Sequence, residues 1–540
     1  MEKIWLKHYP AGVPHEIDPD AHASVVALFE QSVRNFGSRP AFSNGDTTLC
    51  FSELDVLARD FGAYLQKARD IKKQDCVAIM LSNLTQFPIA LLGALRIGAR
   101  VTNINPLYTQ DELEHQLNDA GAKAIVIHGD SLPGLQQIRR HIPIETVIIA
   151  RSGDLLSAAR TGEPGKGIGD QFAAALAIGK QLDLDQVPMD GEDIAFLQYT
   201  GGTTGISKGA ALTHRNLIAN ILQFSSALGP IIERGQEIVV TALPLYHIFA
   251  LTINCLAFLY LGAQNVLITD PRDMSAFVRE LRKRRFSVIT GVNTLFNRLL
   301  NAEGFNDLDF SALKIAIGGG AAIQHAVADK WFEHTGCPLL QGYGLSESSP
   351  LLTVNPYDTK AFSGSIGLPV PSTEIVLRDE EGHEVPLGSC GELCAKGPQV
   401  MKAYWGREEA TREVMTLDGF LKTGDVARMD EKGYFYLVDR KKDLILVSGF
   451  NVYPNEVEAV VAQCEGVLES ACVGVPDEQS GEAVKVFIVA KTGVRLSTEE
   501  VRGHCRERLT AYKVPKYVEF LDSLPKSTVG KILRRELRQR

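Results

Sequence analysis

Apolar and polar positions follow two periods along this chain, and the switches between them mark its organisation. Val25, Val26, Leu28, Phe29, Val33 and Phe36 recur at helical spacing and predict an early amphipathic helix. From residue 76 the pattern becomes one of short, continuous apolar runs at 76–80, 100–104, 124–127 and 146–149, with a helix rich in small residues predicted over 87–97. β-Branched runs without alternation predict strands buried on both faces of a mainly parallel sheet covered by helices. Residues 152–190 carry Gly, Pro and charge with weak period, which predicts a surface insertion. The apolar run 194–197 ends in a glycine-rich loop, after which a helix over 214–228 is predicted with Thr213 as its N-cap. Strands are expected at 237–242, 264–269, 286–290 and 314–317, with a helix over 275–284.

From about residue 375 the runs shorten and alternate between turn residues, predicting a smaller β-rich element. The run 434–438 then meets Asp439-Arg440-Lys441-Lys442-Asp443. Five charges in a row usually form a solvated face, but between two apolar strands they also suit a domain boundary. Beyond it, Val457, Val460, Val461 and Cys464 mark a helix, Ser497-x-x-Glu500 is a capping box, and 471–475 and 484–489 read as strands. The expected fold class is α/β. A large N-terminal domain, 1–438, has mixed and parallel sheets sandwiched by helices plus a β-rich subdomain, and a small α+β domain spans 439–540.

Composition narrows the function classes. At 540 residues the chain exceeds one average domain, and 45% hydrophobic with 22% charged residues is ordinary globular usage. A net charge of −9 argues against a nucleic-acid binder. Nine scattered cysteines suggest reduced thiols, and Cys390-x3-Cys394 lacks the second pair a metal site would need. The first residues lack the apolar core of a signal peptide. The apolar stretch 248–268 is interrupted by Asn254, Gln264 and Asn265 and reads as a buried helix and strand. A cytoplasmic enzyme is the expectation.

The stretch richest in chemistry is Tyr199-Thr200-Gly201-Gly202-Thr203-Thr204-Gly205-Ile206-Ser207-Lys208-Gly209. A strand ending in four glycines, three threonines, a serine and a lysine offers amides, hydroxyls and a point charge to a triphosphate. It is not the usual phosphate loop, because Gly209 follows Lys208 where Ser or Thr would stand. Gly318-Gly319-Gly320-Ala321-Ala322 is a second close-approach turn. Gly342-Tyr343-Gly344-Leu345-Ser346-Glu347 puts an aromatic able to stack on a purine beside a carboxylate able to hold Mg²⁺. Asp425 follows Thr423-Gly424, and two acceptor oxygens suit a cis-diol. His247, flanked by Tyr246, Ile248 and Phe249, could be a satisfied core histidine, and Lys531 could be one more exposed lysine near a terminus.

Together these segments resemble the adenylate-forming superfamily of acyl-CoA synthetases, peptide-synthetase adenylation domains and luciferases. The loop is similar to S/T-S-G-T-T-G-x-P-K-G, with Gly201 in place of Ser and Ser207 in place of Pro. The Gly-Gly pair, Asn105-Pro106-Leu107-Tyr108-Thr109 and Gly364-Ser365-Ile366-Gly367-Leu368-Pro369 resemble the bacterial long-chain fatty acid–CoA ligase branch. Residues 342–347 resemble Y-G-x-T-E with Ser346 for Thr, and Pro525-Lys526-Ser527-Thr528-Val529-Gly530-Lys531 resembles P-K-[ST]-x-x-G-K. The motifs keep the family's order from 199 to 531.

The resemblance implies the roles. Thr200, Gly201, Gly202, Thr203, Thr204, Gly205 and Lys208 would bind phosphate. Gly319, Gly320, Ala321, Gly342, Gly344 and Ser346 would approach the nucleotide, with Tyr343 facing adenine. Thr204 and Glu347 would hold Mg²⁺, Asp425 the ribose hydroxyls, Arg440 a second ribose or phosphate contact, and His247 the carboxylate end of an acyl pocket with a wall near 249–261. Lys442 would be the hinge of a small, mobile C-terminal domain that swings Lys531 in for adenylation and then brings Gly449 and Phe450 to CoA. The implied reaction converts a fatty acid, ATP and CoA to acyl-CoA, AMP and pyrophosphate. Ligases for medium-chain, terpenoid or aryl acids, a fatty acyl–AMP ligase, and a non-catalytic acyl or nucleotide sensor stand as alternatives. Peripheral contact with the inner membrane and a homodimer are further expectations.

Overall fold

The computed structural model describes residues 2–155, 169–200, 207–448, 450–477, 479–527 and 530–540. Two large sheets form the body. In one, of nine strands, the parallel core runs Leu339–Gly344, Ile315–Gly318, Val288–Gly291, Ile238–Thr241, Gln264–Leu267 and Pro40–Asn44. In the other, of eight, Lys208–Thr213, Ile194–Thr200, Arg100–Asn103, Cys76–Met80, Ala122–His128 and Thr146–Ala150 lie side by side. Every residue of Cys76–Met80, Thr146–Ala150 and Val288–Gly291 is buried, as uninterrupted apolar runs require. Helices Phe51–Ala63 and Gln86–Arg96 pack between the sheets, the latter with ten residues from Gln86 to Leu95 buried. Ser24 caps the first amphipathic helix, Val25–Phe36, accepting a hydrogen bond from Ala27 N at 3.1 Å.

One expectation is overturned. Within 152–190, expected to be a surface insertion, Asp170–Gln171 adds an edge strand to the eight-stranded sheet and Phe172–Gly179 is a helix. Phe172, Ala174, Ala175 and Leu176 are buried, and the Phe172 ring stacks on Phe61 at 5.1 Å. The segment is apolar on all sides, so no helical period announces it; burial against Phe51–Ala63 stabilises it instead. The apolar stretch 248–268 is the expected buried helix and strand, although Ala250–Ala257 winds with π-helical spacing. Among the described residues no helix is long and apolar enough to cross a membrane.

Glu374–Arg378, Gly391–Lys396, Leu421–Met429 and Phe435–Arg440 form an antiparallel four-stranded sheet, the expected β-rich element. The chain leaves it through a single 3₁₀ turn, Lys441–Asp443. Beyond the turn, strands Val467–Asp477, Gly481–Ala490 and Tyr517–Phe520 and helices Pro454–Val461 and Thr498–Arg506 surround their own core of Ile445, Val457, Val461, Cys472, Val484 and Val486. Ser497 and Glu500 make the predicted capping box: Ser497 N donates to Glu500 Oε2 at 2.7 Å and Glu500 N to Ser497 Oγ at 3.3 Å.

Candidate active site

The phosphate-loop strand and its return are an antiparallel pair in which Thr200 faces Lys208 and Tyr199 faces Gly209. Gly201, Gly202, Thr203, Thr204 and Gly205, between them, lie outside the described residues, as does Gly449. Thr200 and Lys208 therefore flank the entry and exit of the loop. Beside Lys208, the phenol of Tyr404 sets its ring face 5.3 Å from the Lys208 ammonium and donates its proton to Glu347 Oε1 at 2.6 Å.

The second motif lies on Leu339–Gly344 and the turn Ser346–Ser348. Gly342 and Gly344 flank the buried Tyr343, which donates from its hydroxyl to Asp425 Oδ2 at 2.7 Å. Burial, then the Asp425 carboxylate, pushes the Tyr343 phenol well above its ordinary range, so it stays a donor. The other Asp425 oxygen, Oδ1, lies 3.3 Å from Arg440 Nε. This pair follows from register: Leu421–Met429 and Phe435–Arg440 run antiparallel with Asp425 opposite Arg440. Gly319 passes under the site, where an added Cβ would come within 3.0 Å of both Gly342 O and the Phe249 ring; Gly320 beside it has φ +75°, and Ala321 follows half-buried.

Lys531 reaches this group from the small domain. Its loop closes on itself: Ser527 N donates to Lys531 O at 2.7 Å and Lys531 N to Ser527 Oγ at 3.1 Å. Gly530, at φ +81°, lets the loop seat against the body, where Thr294 Oγ1 donates to Gly530 O at 3.2 Å; a Cβ there would stand 2.7 Å from that hydroxyl. The Lys531 side chain is half-buried, and burial followed by the Arg440 guanidinium lowers its pKa to about 8, while Asp425 acts in the opposite sense. Lys442 is lowered as well, by burial and then by Arg440. His247, half-buried, is lowered to about 4 by burial and then by the Lys531 charge, so its imidazole is neutral at ordinary pH. Phe249 N donates to His247 Nδ1 at 3.3 Å, which leaves Nε2 to carry the ring proton.

Tyr343, Asp425 and Arg440, singled out from sequence, thus meet, and Lys442, Lys531 and His247 lie within electrostatic reach of them or of one another. Phe450 stands apart, exposed on the small domain and stacked on Tyr512 at 4.9 Å. Sequence reasoning missed Tyr404, Asp439 and Arg534. Asp439 heads the five-charge run, yet its carboxylate is fully buried: Asn455 N donates to Oδ2 at 2.9 Å and Arg534 Nη1 to Oδ1 at 3.2 Å. Arg534 also donates to Glu458 Oε2 at 2.8 Å. A charge run and a basic tail look solvated in sequence, and nothing local pairs one with the other.

The donor set suits a Mg²⁺ ion. Among the described residues Glu347 Oε2 has no hydrogen-bond partner while Oε1 is held by Tyr404. No group of three His, Cys, Asp or Glu side chains gathers among those residues. A site with one carboxylate fits a cation that takes most of its ligands from phosphates and water.

The chain matches the AMP-binding enzyme family over residues 29–405 and the AMP-binding enzyme C-terminal domain over 456–531. It is 54% identical to a long-chain-fatty-acid–CoA ligase of Yersinia pestis, covering 100% of this chain and 98% of that one. The ligase of the same name from Bacillus subtilis is 37% identical over 99% of this chain and 98% of that protein. Among solved structures, the anthranilate CoA ligase AuaEII in complex with anthranoyl-AMP superposes with a TM-score of 0.88 at 26% identity, over 97% of this chain and 98% of that one. With the family matched across most of its length and the nucleotide-site geometry assembled, this chain belongs to the AMP-binding enzyme family.

Proposed function

We propose that the protein is an AMP-forming long-chain fatty acid–CoA ligase. A carboxylate oxygen of the fatty acid bonds to the α-phosphorus of ATP as the bond from that phosphorus to pyrophosphate breaks. The CoA thiol then attacks the acyl carbon; the C–S bond forms, the C–O bond to AMP breaks, and the thiol proton passes to solvent. The mixed anhydride is needed because a free carboxylate is a poor electrophile.

The observation that carries this reading is the half-buried Lys531 ammonium within electrostatic reach of the Asp425–Arg440 pair. There a cation neutralises charge on both the incoming carboxylate and the α-phosphate as they approach. Asp425 and Arg440 hold the ribose, Tyr343 orients Asp425 and turns its ring to adenine, and Lys208 with residues 200–205 cradles the phosphates. His247, neutral, donates a hydrogen bond to the acyl carboxylate. Glu347 and Thr204 would hold Mg²⁺, which would offset the charge of the polyphosphate. The body, which keeps the strand ending at Arg440, and the small domain beyond it turn about Lys442 between the two steps, bringing Gly449 and Phe450 to CoA. The π-helical Ala250–Ala257, buried throughout and just beyond His247, supplies the acyl-pocket wall. Relatives that share the chain's full length and carry the name long-chain-fatty-acid–CoA ligase support the substrate class. Peripheral contact with the inner membrane, where such acids partition, and a homodimer belong to the same reading; vesicle flotation and light scattering test them.

The test is CoA-dependent AMP release with Mg·ATP over straight-chain acids from hexanoate to octadecanoate, plus benzoate. The expected result is a kcat/KM maximum between dodecanoate and octadecanoate. A maximum at short or aromatic acids overturns the substrate class. No turnover with any acid, and Lys531→Ala identical to wild type, overturns the enzyme.

A further inference from the structure

Tyr404 belongs to none of the motifs read from the sequence, yet it touches two of them. It ends the two-residue strand Ala403–Tyr404, which pairs antiparallel with Lys208–Thr213 so that Tyr404 lies opposite Ala210. The segment around it is stitched to both sides: Lys402 N donates to Ala211 O at 3.0 Å, Trp405 N to Gly209 O at 2.8 Å, and Met401 N to Glu347 O at 2.7 Å. Its hydroxyl donates to Glu347 Oε1 at 2.6 Å, and its ring face lies 5.3 Å from Lys208 Nζ. Tyr404 is buried, and its hydroxyl is the donor of the pair, a carboxylate oxygen being an acceptor. The second carboxylate oxygen of Glu347 has no partner among the described residues.

We propose that Tyr404 is the positioning residue of the polyphosphate end, holding Glu347 by one oxygen so that the other is presented to the divalent cation, and holding the Lys208 ammonium against its ring. This rests on the reading of Glu347 as a cation ligand and Lys208 as a phosphate contact. The physical case is that a glutamate has several free side-chain torsions and a lysine more, and each hold removes alternatives before ATP arrives. One side chain does both because Glu347 and the start of the return strand converge on the same short edge strand. A core tyrosine that merely satisfied its hydroxyl would bond any acceptor and would leave cation affinity untouched when replaced by phenylalanine.

The experiment separates the hydroxyl from the ring. Mn²⁺ is used as the probe, its binding to the enzyme with α,β-methylene-ATP followed by electron paramagnetic resonance, alongside metal-free binding of the same nucleotide by calorimetry and thermal melting. Tyr404→Phe is expected to weaken Mn²⁺ about 10-fold, the scale on which partners of metal ligands act, with metal-free nucleotide affinity and melting unchanged. Tyr404→Leu, which removes the ring face as well, is expected to weaken metal-free nucleotide binding too. Should Tyr404→Phe melt early, Tyr404→His, which keeps a ring and an N–H donor, must bind Mn²⁺ more tightly than Tyr404→Leu. Wild-type Mn²⁺ affinity in Tyr404→Phe, with Glu347→Gln impaired, overturns the role of Tyr404. Wild-type Mn²⁺ affinity in Glu347→Gln overturns instead the cation-ligand reading beneath it.

Discussion

The Asp425–Arg440–Tyr343 group and Lys531 are brought into the site by opposite means. Asp425 and Arg440 face each other because two antiparallel strands of one sheet hold that register, and Tyr343, from a neighbouring sheet, closes on them. All three are tied to one body before any nucleotide arrives. Lys531 comes from a domain whose buried apolar clusters, among the described residues, are drawn from residues 445 onward. What seats it is polar: Thr294 to Gly530, Asn297 to Leu468 at 3.3 Å, and the buried Asp439–Arg534 pair at the crossing. Partners fixed by sheet register cannot separate without unfolding, whereas polar contacts between two complete cores can be exchanged for water or for other partners. The difference suits a site that keeps the nucleoside in place while changing the group beside the reacting atoms.

Breaking the mobile side should cost most. Lys531→Ala is expected to lower pyrophosphate exchange by about 10²–10³-fold, the scale for losing one preorganised donor to developing charge, while thioester formation from synthetic acyl-adenylate persists. Equal loss in both half-reactions would make the lysine part of the fixed frame instead. Next comes the crossing itself. Asp439→Ala removes the acceptor of Arg534 and Asn455, and a charged hydrogen bond of about 1.5–3 kcal/mol corresponds to roughly a 10–100-fold loss in adenylation. Stopped-flow assay of the two half-reactions separately should find the second one spared.

The third is set by protonation. With a free-enzyme pKa of about 8, Lys531 is charged below that pH and neutral above it. The value of kcat/KM for adenylation should therefore hold up to pH 8 and then fall about tenfold per unit, a break that Lys531→Arg should remove. His247, neutral above about 4, should add no break between pH 5 and 8. The smallest effect should come from the fixed side. Tyr343→Phe loses one hydrogen bond to Asp425, worth about 1 kcal/mol, so KM for ATP should rise roughly fivefold with kcat held. A fall in kcat alone would show that Tyr343 acts on the reaction rather than on nucleotide binding.

Much of this molecule was legible in its residue order. Uninterrupted β-branched runs made Cys76–Met80, Thr146–Ala150 and Val288–Gly291 readable as buried strands, because propensity and burial act over a few residues. Asp425, Glu347 and Lys531 could be singled out too, since a motif carries its turn and its functional group in one short segment. The helix Phe172–Gly179 was not readable, because a segment apolar on all sides has no polar face to set its period. Nor could residue order tell that Asp439, inside a charged run, is wholly buried against Arg534, or that Tyr404 spans Lys208 and Glu347. By itself the sequence determined which segments fold as strands and helices and which side chains can handle phosphate, ribose and carboxylate. Tertiary structure alone decided which of those groups share a dielectric, a partner and a proton, because Coulomb interactions and hydrogen bonds depend on distance in space and not on distance along the chain.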